Sequence, residues 1–245
     1  HERPPADVMT VNLQGRTALV TGATRGIGRS IAEALAEAGA RVWCLARSEQ
    51  DVTAVAKKIG GVAIVADITD DVSVWDALDY MQETIGGAPN IVVHAAGMFD
   101  VEPCVSETVN GFDEQVAVNL RGSFLVTRSL LPSMLERGEG LIVHIGSTAG
   151  RKAFPGNAAY SASKFGLRGF HEVLLEEVRG TGVRATLLEP AATDTSIWDS
   201  LDPDNDPGLP VRADMMQPDD VAAAVLFVAT RPESIRIPLL QIERS

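Results

Sequence analysis

The sequence has few residues that can cross-link and few aromatic side chains. It contains two cysteines, Cys44 and Cys104, and aromatic residues make up 5% of its 245 residues. Two cysteines cannot form the disulfide framework of a small secreted domain, and Cys44 lies in an apolar segment where a buried, inert thiol is expected. This cysteine usage is typical of a reducing compartment, so we expect a cytoplasmic protein.

Positive charge is also scarce. The chain has 21 lysines and arginines against 33 aspartates and glutamates, which gives a formal net charge of -12 at pH 7. A nucleic-acid partner requires a basic surface with interleaved aromatic residues, and the sequence has no such stripe. The four histidines and two cysteines show no metal-ligand spacing, which predicts that no metal is bound.

No apolar run approaches the roughly 20 residues that a membrane-spanning helix requires, so we expect no membrane association. Residues 1–8 are polar and contain proline, without the apolar core of a signal peptide. We interpret them as an expression remnant or a disordered segment, with Met9 as the natural start. Residues 9–245 are expected to form a single Rossmann-fold domain, because α/β folds of this size commonly remain undivided.

What the sequence does contain is a repeated alternation of short apolar runs with segments of helical periodicity. This alternation predicts an α/β fold, a Rossmann-type doubly wound parallel sheet of about seven strands with helices on both faces. Ligands of such sheets bind at the carboxyl ends of the strands. The predicted strands are 17–20, 41–46, 62–66, 90–94, 140–145, 184–188 and 235–242, and long helices are predicted at 27–38, roughly 112–136 and 218–229.

A glycine turn follows the first predicted strand. Gly22, Gly26 and Gly28 lie between that strand and a helix in which apolar residues recur at helical spacing from Ile27 to Ala38. Such a turn directs free backbone N–H groups and the positive end of the helix dipole at an anion, and glycines allow close approach of a pyrophosphate. The alternative is a tight turn with no ligand, but three glycines in this context favour a dinucleotide.

Tyr160 and Lys164 are spaced i, i+4, so on a helix their side chains leave the same face. An ammonium roughly 4 Å from a phenol can lower its pKa by up to about three units at an effective dielectric near 20. Alone this pair is more often surface packing. Ser147 precedes it at the end of an apolar run, and Asn119 lies inside the long predicted helix, where asparagine is locally unfavourable.

The order Asn119, Ser147, Tyr160, Lys164 follows a turn of spacing Gly-x-x-x-Gly-x-Gly with Thr21 ahead of it. This pattern resembles the short-chain dehydrogenase/reductase family, including its 3-oxoacyl reductases, over nearly the whole chain. The resemblance implies that Tyr160 is the general acid/base and that Ser147 polarises the substrate oxygen. It also implies that Lys164 lowers the pKa of Tyr160 and binds the nicotinamide ribose. Asn119 would distort its helix and position a relay water.

The end of the second strand bears on the cofactor. Enzymes of this fold that prefer NAD place an acidic residue there, whereas this chain has Ala46 followed by Arg47. A guanidinium is a planar, permanently charged partner for a phosphate, and Arg25 in the glycine turn supplies a second. The pair predicts NADP(H) rather than NAD(H).

The resemblance assigns further cofactor contacts to residues that follow strand ends. Asp67 would lie along the adenine, although it could equally cap the helix that starts near Asp71. Thr193 and Thr195 would meet the nicotinamide carboxamide. The complete set of cofactor candidates is Gly22, Thr24, Arg25, Gly26, Ile27, Gly28, Arg47, Asp67, Ile68, Ala95, Ala96, Gly97, Tyr160, Lys164, Pro190, Ala191, Thr193 and Thr195.

The sequence departs from the family pattern at two places. His94 and Ala95 stand where the family usually has two asparagines, which removes a tie between strands. We interpret His94 as a structural replacement, and His144 as a core histidine with a satisfied hydrogen bond. Ala191 replaces a glycine, which restricts φ and weakens the contact expected near Thr193.

Residues 196–217 are rich in aspartate and proline and show no periodicity, which indicates a substrate lid. The acidity of this segment disfavours phosphate-rich or carboxylate substrates. The substrate determinants are expected in the lid and around Phe99, Phe154 and Trp198.

The combined interpretation is an NADP(H)-dependent enzyme that interconverts a small-molecule carbonyl and a secondary alcohol, with no metal. Three alternatives stay open: an NAD(H)-dependent alcohol dehydrogenase, a 3-oxoacyl-thioester reductase, and a non-catalytic NADP(H)-sensing protein. The resemblance further implies a homotetramer or homodimer built on the helices that carry Asn119 and Tyr160 and on the last strand.

Overall fold

A computed structural model describes residues 12–245 of the protein. The interpretation of residues 1–8, and of Met9 as the start, lies outside the described residues. Seven strands form one sheet in the order β3-β2-β1-β4-β5-β6-β7, and every neighbouring pair is parallel. The predicted fold class is confirmed. The strands are β1 Thr17–Thr21, β2 Arg41–Ala46, β3 Val62–Val65, β4 Ile91–His94, β5 Gly140–Ile145, β6 Val183–Pro190 and β7 Leu239–Ile242.

Helices cover both faces of this sheet. Buried residues of α1, α2 and α7 pack on one face, with Ile31, Val52 and Val221 fully buried there. Residues of α3, α5 and α6 pack on the other face, around buried Leu78 and Leu130. The helices are α1 Gly26–Glu37, α2 Glu49–Ile59, α3 Asp71–Ile85, α4 Val109–Val116, α5 Gly122–Arg137, α6 Ala158–Glu177 and α7 Pro218–Ala229.

Local signals account for several helix ends. The Ser48 side chain accepts a hydrogen bond from the Asp51 N–H and begins α2, and Gly60 ends this helix in the left-handed region with φ of 66°. The cap of α3 is Asp70, whose carboxylate accepts from the Ser73 N–H. The alternative that Asp67 caps this helix is therefore wrong, because the Asp67 carboxylate instead accepts hydrogen bonds from Thr69, two residues further along the chain.

The long helix predicted at 112–136 is interrupted. A π-helix at Ala117–Arg121 separates α4 from α5, and it contains Asn119. A π-helical turn holds more residues per turn than an α-helix and occurs frequently at functional sites. This interruption is the helix distortion that the resemblance implied at Asn119, and propensity alone did not locate it.

Two predicted elements differ in extent. The last strand is Leu239–Ile242 rather than 235–242, because Pro238 has no N–H to donate to a ladder. The acidic segment 196–217 is irregular as predicted, but it contains two short 3₁₀-helices at Ser196–Leu201 and Arg212–Asp214.

The sheet order places a crevice at one point of its carboxyl edge. β1 is hydrogen-bonded to both β2 and β4, so the chain changes direction across the sheet between β1 and β4. In doubly wound sheets, ligands bind outside the carboxyl ends of the strands at such a switch point. The glycine turn after β1 and the residues after β4 therefore lie side by side.

Candidate active site

Three parts of the fold bring the four predicted catalytic residues to this carboxyl edge. Asn119 lies in the π-helix, Ser147 follows β5, and Tyr160 and Lys164 lie on the first turns of α6. Ser147 has extended backbone with φ of -168°, and its hydroxyl accepts from the Ala149 N–H at 3.1 Å. The serine is thereby oriented as the cap of a short 3₁₀-helix rather than left free in a loop.

Burial raises the pKa of the Tyr160 phenol above its usual value, and the neighbouring Ser147 hydroxyl acts in the opposite direction. The expectation that Lys164 depresses this pKa is not met, because Lys164 is not among the groups that shift it. Tyr160 is consequently held in its protonated form at neutral pH.

Lys164 lies under the ring of Tyr160 rather than at its hydroxyl. Its Nζ is 5.6 Å from the ring centroid and donates to the Ile145 carbonyl at 2.9 Å. Lys164 is 6% exposed, and burial lowers its pKa from 10.5 to about 8. The ammonium therefore contacts the face of the phenol and the end of β5, which explains why the simple i, i+4 argument overestimated its effect on the tyrosine pKa.

Asn119 is fully buried and makes three hydrogen bonds through its side chain. Its Oδ1 accepts from the Met98 N–H at 2.8 Å, and its Nδ2 donates to the Met98 carbonyl at 2.8 Å and to Ser163 Oγ at 3.0 Å. Ser163 in turn donates to the Tyr160 carbonyl at 2.7 Å. The asparagine thus ties the segment after β4 to the helix that carries Tyr160, a role that the sequence interpretation missed.

The glycine turn is packed against the segment after β4. Gly22 has φ of 68°, and a Cβ built on it would lie 2.6 Å from the Ala96 Cα. Only glycine can therefore occupy this position. A Cβ on Gly26 would lie 3.1 Å from the Thr195 side chain, which brings the segment after the sheet's sixth strand over the same turn.

Helix α1 begins at this turn without a side-chain cap. The residue before it, Arg25, is extended and makes no capping hydrogen bond, and the first turn contains no acidic residue. Its backbone N–H groups are directed into the crevice and are suited to an anion. Thr24, Ile27 and Gly28 belong to the same turn and first helical residues.

Arg47 and Asp67 lie at the ends of neighbouring strands, β2 and β3. Asp67 accepts hydrogen bonds from the Thr69 N–H and hydroxyl at 2.9 and 2.7 Å. Burial acts to raise the pKa of Asp67, but these hydrogen bonds and the charge of Arg47 outweigh it and lower the pKa. Ile68 is buried beside Asp67, and Ala95, Ala96 and Gly97 follow β4 at the same edge.

The segment after β6 adopts a defined conformation despite its missing glycine. The Ala191 N–H donates to the Ile242 carbonyl at 2.9 Å, and the Thr193 hydroxyl donates to the Ala191 carbonyl at 3.0 Å. Among the described residues Asp202 is the only non-glycine with positive φ, so the backbone at Ala191 does not require glycine. Pro190 ends β6, and Thr195 caps the first 3₁₀-helix of the lid.

Three buried histidines form a cluster behind the site. The rings of His94 and His144 are stacked with centroids 4.7 Å apart, and His94 Nε2 is 3.0 Å from the Thr127 hydroxyl. His144 Nδ1 lies 3.1 Å from His171 Nδ1, and His171 Nε2 donates to the Pro238 carbonyl at 3.0 Å. Burial lowers the pKa of all three histidines. One ring nitrogen of His94 and one of His144 are thus hydrogen-bonded, whereas His94 Nδ1 and His144 Nε2 are buried without a partner among the described residues, so the interpretation of His144 as a fully satisfied core histidine holds only in part.

The part of the chain that the structure describes offers no group of three His, Cys, Asp or Glu side chains able to hold a metal ion. Within the same residues, no helix has both the length and the apolar character needed to cross a membrane.

The fold places the glycine turn and the candidate catalytic residues at a topological switch point, where doubly wound sheets bind their ligands. The family described as short chain dehydrogenase matches residues 16–206. The chain therefore belongs to the short-chain dehydrogenase/reductase family and is an oxidoreductase, as the resemblance predicted.

Individual relatives are similar over most of their length. A D-threitol dehydrogenase of Mycolicibacterium smegmatis is 35% identical over 227 residues, which cover 89% of this chain and 87% of the relative. A metagenomic short-chain oxidoreductase solved in complex with NADP is 30% identical, with a TM-score of 0.81 and coverage of 95% and 98%. A gluconate 5-dehydrogenase from Burkholderia cenocepacia, solved with NADP and tartrate, is 26% identical, with a TM-score of 0.87 and coverage of 96% of both chains.

Proposed function

We propose that the protein is an NADP(H)-dependent oxidoreductase that interconverts a carbonyl and a secondary alcohol, with Tyr160 as general acid/base. The observation that carries this proposal is that Ser147 lies beside the Tyr160 phenol, with the buried Lys164 ammonium 5.6 Å from the centroid of the same ring. Two hydroxyl donors at one point beside a dinucleotide crevice suit a carbonyl oxygen that develops negative charge.

Each side chain has a distinct role in the reduction direction. The bound nicotinamide supplies the hydride to the carbonyl carbon. Tyr160 donates its proton to the carbonyl oxygen, and its raised pKa keeps it protonated before the reaction. Ser147 donates a hydrogen bond to the same oxygen. Lys164 stabilises the resulting phenolate through its charge, and Asn119 holds α6 in place through Ser163.

The residues present fit a dinucleotide. The uncapped N-terminus of α1 and the close packing of Gly22 on Ala96 leave backbone N–H groups for a pyrophosphate. Thr195 lies over the turn and would contact the nicotinamide half, while Asp67 would lie along the adenine. The two similar structures whose descriptions include NADP support this choice of cofactor.

Preference for NADP(H) depends on Arg47. This residue follows β2 where NAD-preferring enzymes have a carboxylate, and its side chain is exposed at the crevice. Arg47→Asp is expected to reverse the ratio of kcat/KM for NADPH over NADH, because the carboxylate repels the 2′-phosphate. Arg41→Asp, at the other end of the same strand, is the matched control. An unchanged ratio in Arg47→Asp would remove Arg47 from the cofactor site.

The catalytic proposal is tested by removing one hydroxyl. Tyr160→Phe should lower kcat for carbonyl reduction by about 10²- to 10⁴-fold while NADPH still binds, since proton transfer contributes that much. Tyr80→Phe, the chain's other tyrosine, is exposed on α3 and should behave like the wild type. Consumption of NADPH is followed at the reduced-nicotinamide absorbance with a panel of carbonyls. Wild-type turnover in Tyr160→Phe contradicts the mechanism.

Oxidation of an alcohol with NAD(P) is the second candidate, because the similar D-threitol dehydrogenase is named for that direction. The same assay distinguishes this candidate from a 3-oxoacyl-thioester reductase and from a cofactor-sensing protein. A sensing protein would bind NADPH without consuming it for any carbonyl in the panel.

We include in the proposal a homotetramer or homodimer. Two helices near the site and the last strand expose apolar side chains, among them Phe124 on α5, Phe165 and Val173 on α6, and Leu239 on β7. Exposed apolar side chains on neighbouring elements are typical of surfaces that a second copy covers.

A further inference from the structure

An aromatic wall stands beside the reacting hydroxyl. We define it as Phe99, Tyr160 and Trp198. Phe99 is edge-on to Tyr160, with ring centroids 4.7 Å apart and an interplanar angle of 69°. Phe99 also contacts Trp198, with centroids 4.9 Å apart and an angle of 64°. The segment after β4, helix α6 and the lid therefore meet through three rings, in the edge-to-face geometry that aromatic pairs prefer.

The wall offers apolar surface and little hydrogen bonding. The indole N–H of Trp198 donates to the Thr193 carbonyl at 3.1 Å, so this donor is already used. Phe99 has no polar atom. The remaining polar group of the wall is the Tyr160 hydroxyl, which in the proposed mechanism donates to the carbonyl oxygen. Hydroxyl groups elsewhere on a substrate would lose their hydrogen bonds to water against these rings.

The single basic side chain of the lid is also engaged. Arg212 is the one lysine or arginine in residues 196–217, which contain five aspartates. Its Nη1 donates to Asp194 at 2.5 Å and to the Thr195 carbonyl at 3.2 Å, and its Nη2 donates to Asp199 at 2.7 Å. An anionic substrate near this segment would therefore meet net negative charge without a free cation from it.

The loop between Ser147 and Tyr160 contributes two further cations. Arg151 lies 3.4 Å from the buried carboxylate of Glu189, and Lys152 is exposed with its Nζ 5.3 Å from the Phe154 ring. Both cations thus have partners outside the aromatic wall.

We propose that the aromatic wall and the acidic lid select uncharged carbonyl compounds with an aromatic or bulky apolar group next to the carbonyl. This inference depends on the proposed function and specifies its substrate class. In the reaction, the carbonyl carbon gains a hydride from the reduced nicotinamide, which is oxidised, and the oxygen gains the Tyr160 proton to give the secondary alcohol. The class differs from the polyol and the sugar acid for which two similar proteins are named.

The test uses matched pairs of substrates with wild-type enzyme and NADPH. For charge, ethyl 3-oxobutanoate is compared with the 3-oxobutanoate anion, which has the same reacting carbonyl. For apolar character, 1-phenyl-1,2-propanedione is compared with a four-carbon ketose. We expect kcat/KM at least ~10-fold higher for the first member of each pair, the scale on which apolar pockets discriminate. An equal or reversed ratio in either pair overturns the proposal.

Substitutions in the aromatic wall test whether it causes the preference for apolar substrates. Trp198→Ser and Phe99→Ser should each lower the ratio of kcat/KM for the phenyl diketone over the ketose, by a factor of about 10. Trp75→Ser is the matched control. Trp75 is 59% exposed on α3, which follows the edge strand β3, whereas α6 follows β5. A ratio that Trp198→Ser leaves at the wild-type value overturns the role of the wall.

Failure of this inference can be told apart from failure of the proposed function. If no carbonyl in either pair consumes NADPH and Tyr160→Phe equals the wild type, the oxidoreductase mechanism itself fails. If turnover is lost in Tyr160→Phe but favours the ketose or the anion, only the substrate class is wrong. Should a serine variant fail to fold, as judged by thermal unfolding, the wild-type pairs alone decide the outcome.

Discussion

At the scale of single residues, the pairing of Tyr160 with Lys164 is more specific than its spacing suggests. The i, i+4 relation places both side chains on one face of α6, but Nζ contacts the ring and the Ile145 carbonyl. Ser147 lies beside the phenol and acts to lower its pKa. The lysine supplies positive charge beneath the ring.

The depressed pKa of Lys164 predicts a pH dependence. Burial favours the neutral amine and lowers the pKa from 10.5 to about 8, so the charge is present below pH 8 and lost above it. Without that charge the phenolate formed in the reaction is less stable. We expect kcat/KM for carbonyl reduction to fall as the pH rises through about 8, measured from pH 6 to 10.

A matched variant isolates this effect. Lys164→Arg keeps a positive charge at all these pH values, since arginine has a pKa above about 12, so its remaining activity should not show the same decline. A wild-type profile that stays level up to pH 10 would show that the Lys164 charge is not needed.

At the scale of structural elements, the site depends on how closely the turn after β1 approaches the segment after β4. Gly22 has positive φ, and a side chain there would collide with backbone atoms of Ala96, which cannot move as a flexible side chain can. The start of segment 196–217 approaches the same turn, because a Cβ built on Gly26 would lie 3.1 Å from the Thr195 side chain. The turn, the β4 exit and this segment therefore pack together.

Gly22→Ala is expected to disrupt this packing. Left-handed backbone costs a non-glycine residue about 1–2 kcal/mol, and overpacking adds about 1–3 kcal/mol. The free energy of unfolding should fall by about 2–5 kcal/mol in urea denaturation, with loss of NADPH affinity.

Gly60→Ala provides the control for Gly22→Ala. Gly60 has nearly the same φ of 66°, but a Cβ there meets nothing within 4 Å, so only the left-handed term of about 1–2 kcal/mol applies. Equal losses of stability in the two variants would show that the contact with Ala96 is unimportant.

At the scale of the whole molecule, α5 and α6 expose the apolar side chains of Phe124 and Phe165 on which the proposed oligomer depends. Phe165 is 47% exposed on the same helix as Tyr160 and Lys164. We expect Phe165→Glu to shift the protein to a smaller assembly in sedimentation velocity, because a buried unpaired carboxylate is costly. Val72→Glu, an exposed apolar position on α3, should leave the assembly unchanged. A wild-type protein that sediments as a monomer would contradict the proposed oligomer.

Much of the fold could be predicted from the sequence, because alternating strands and amphipathic helices restrict the topology to a doubly wound sheet. The strands of the predicted set appear in the structure, with the last one shortened by Pro238. The long helix was predicted without its π-helical interruption, since helical periodicity does not register one extra residue in a turn. Asp67 was a plausible cap by residue type, and only the hydrogen bonds show that Asp70 has that role.

The sequence by itself determined the sheet, the glycine turn and the residue types of the candidate site, because these follow from periodicity and from short-range spacing. Only the tertiary structure decided which groups meet. It brings Phe99, Tyr160 and Trp198 together from three elements, and it directs Asn119 to Met98. Contacts between residues 21 to 99 positions apart depend on packing across the sheet edge, and no local pattern in the chain encodes them.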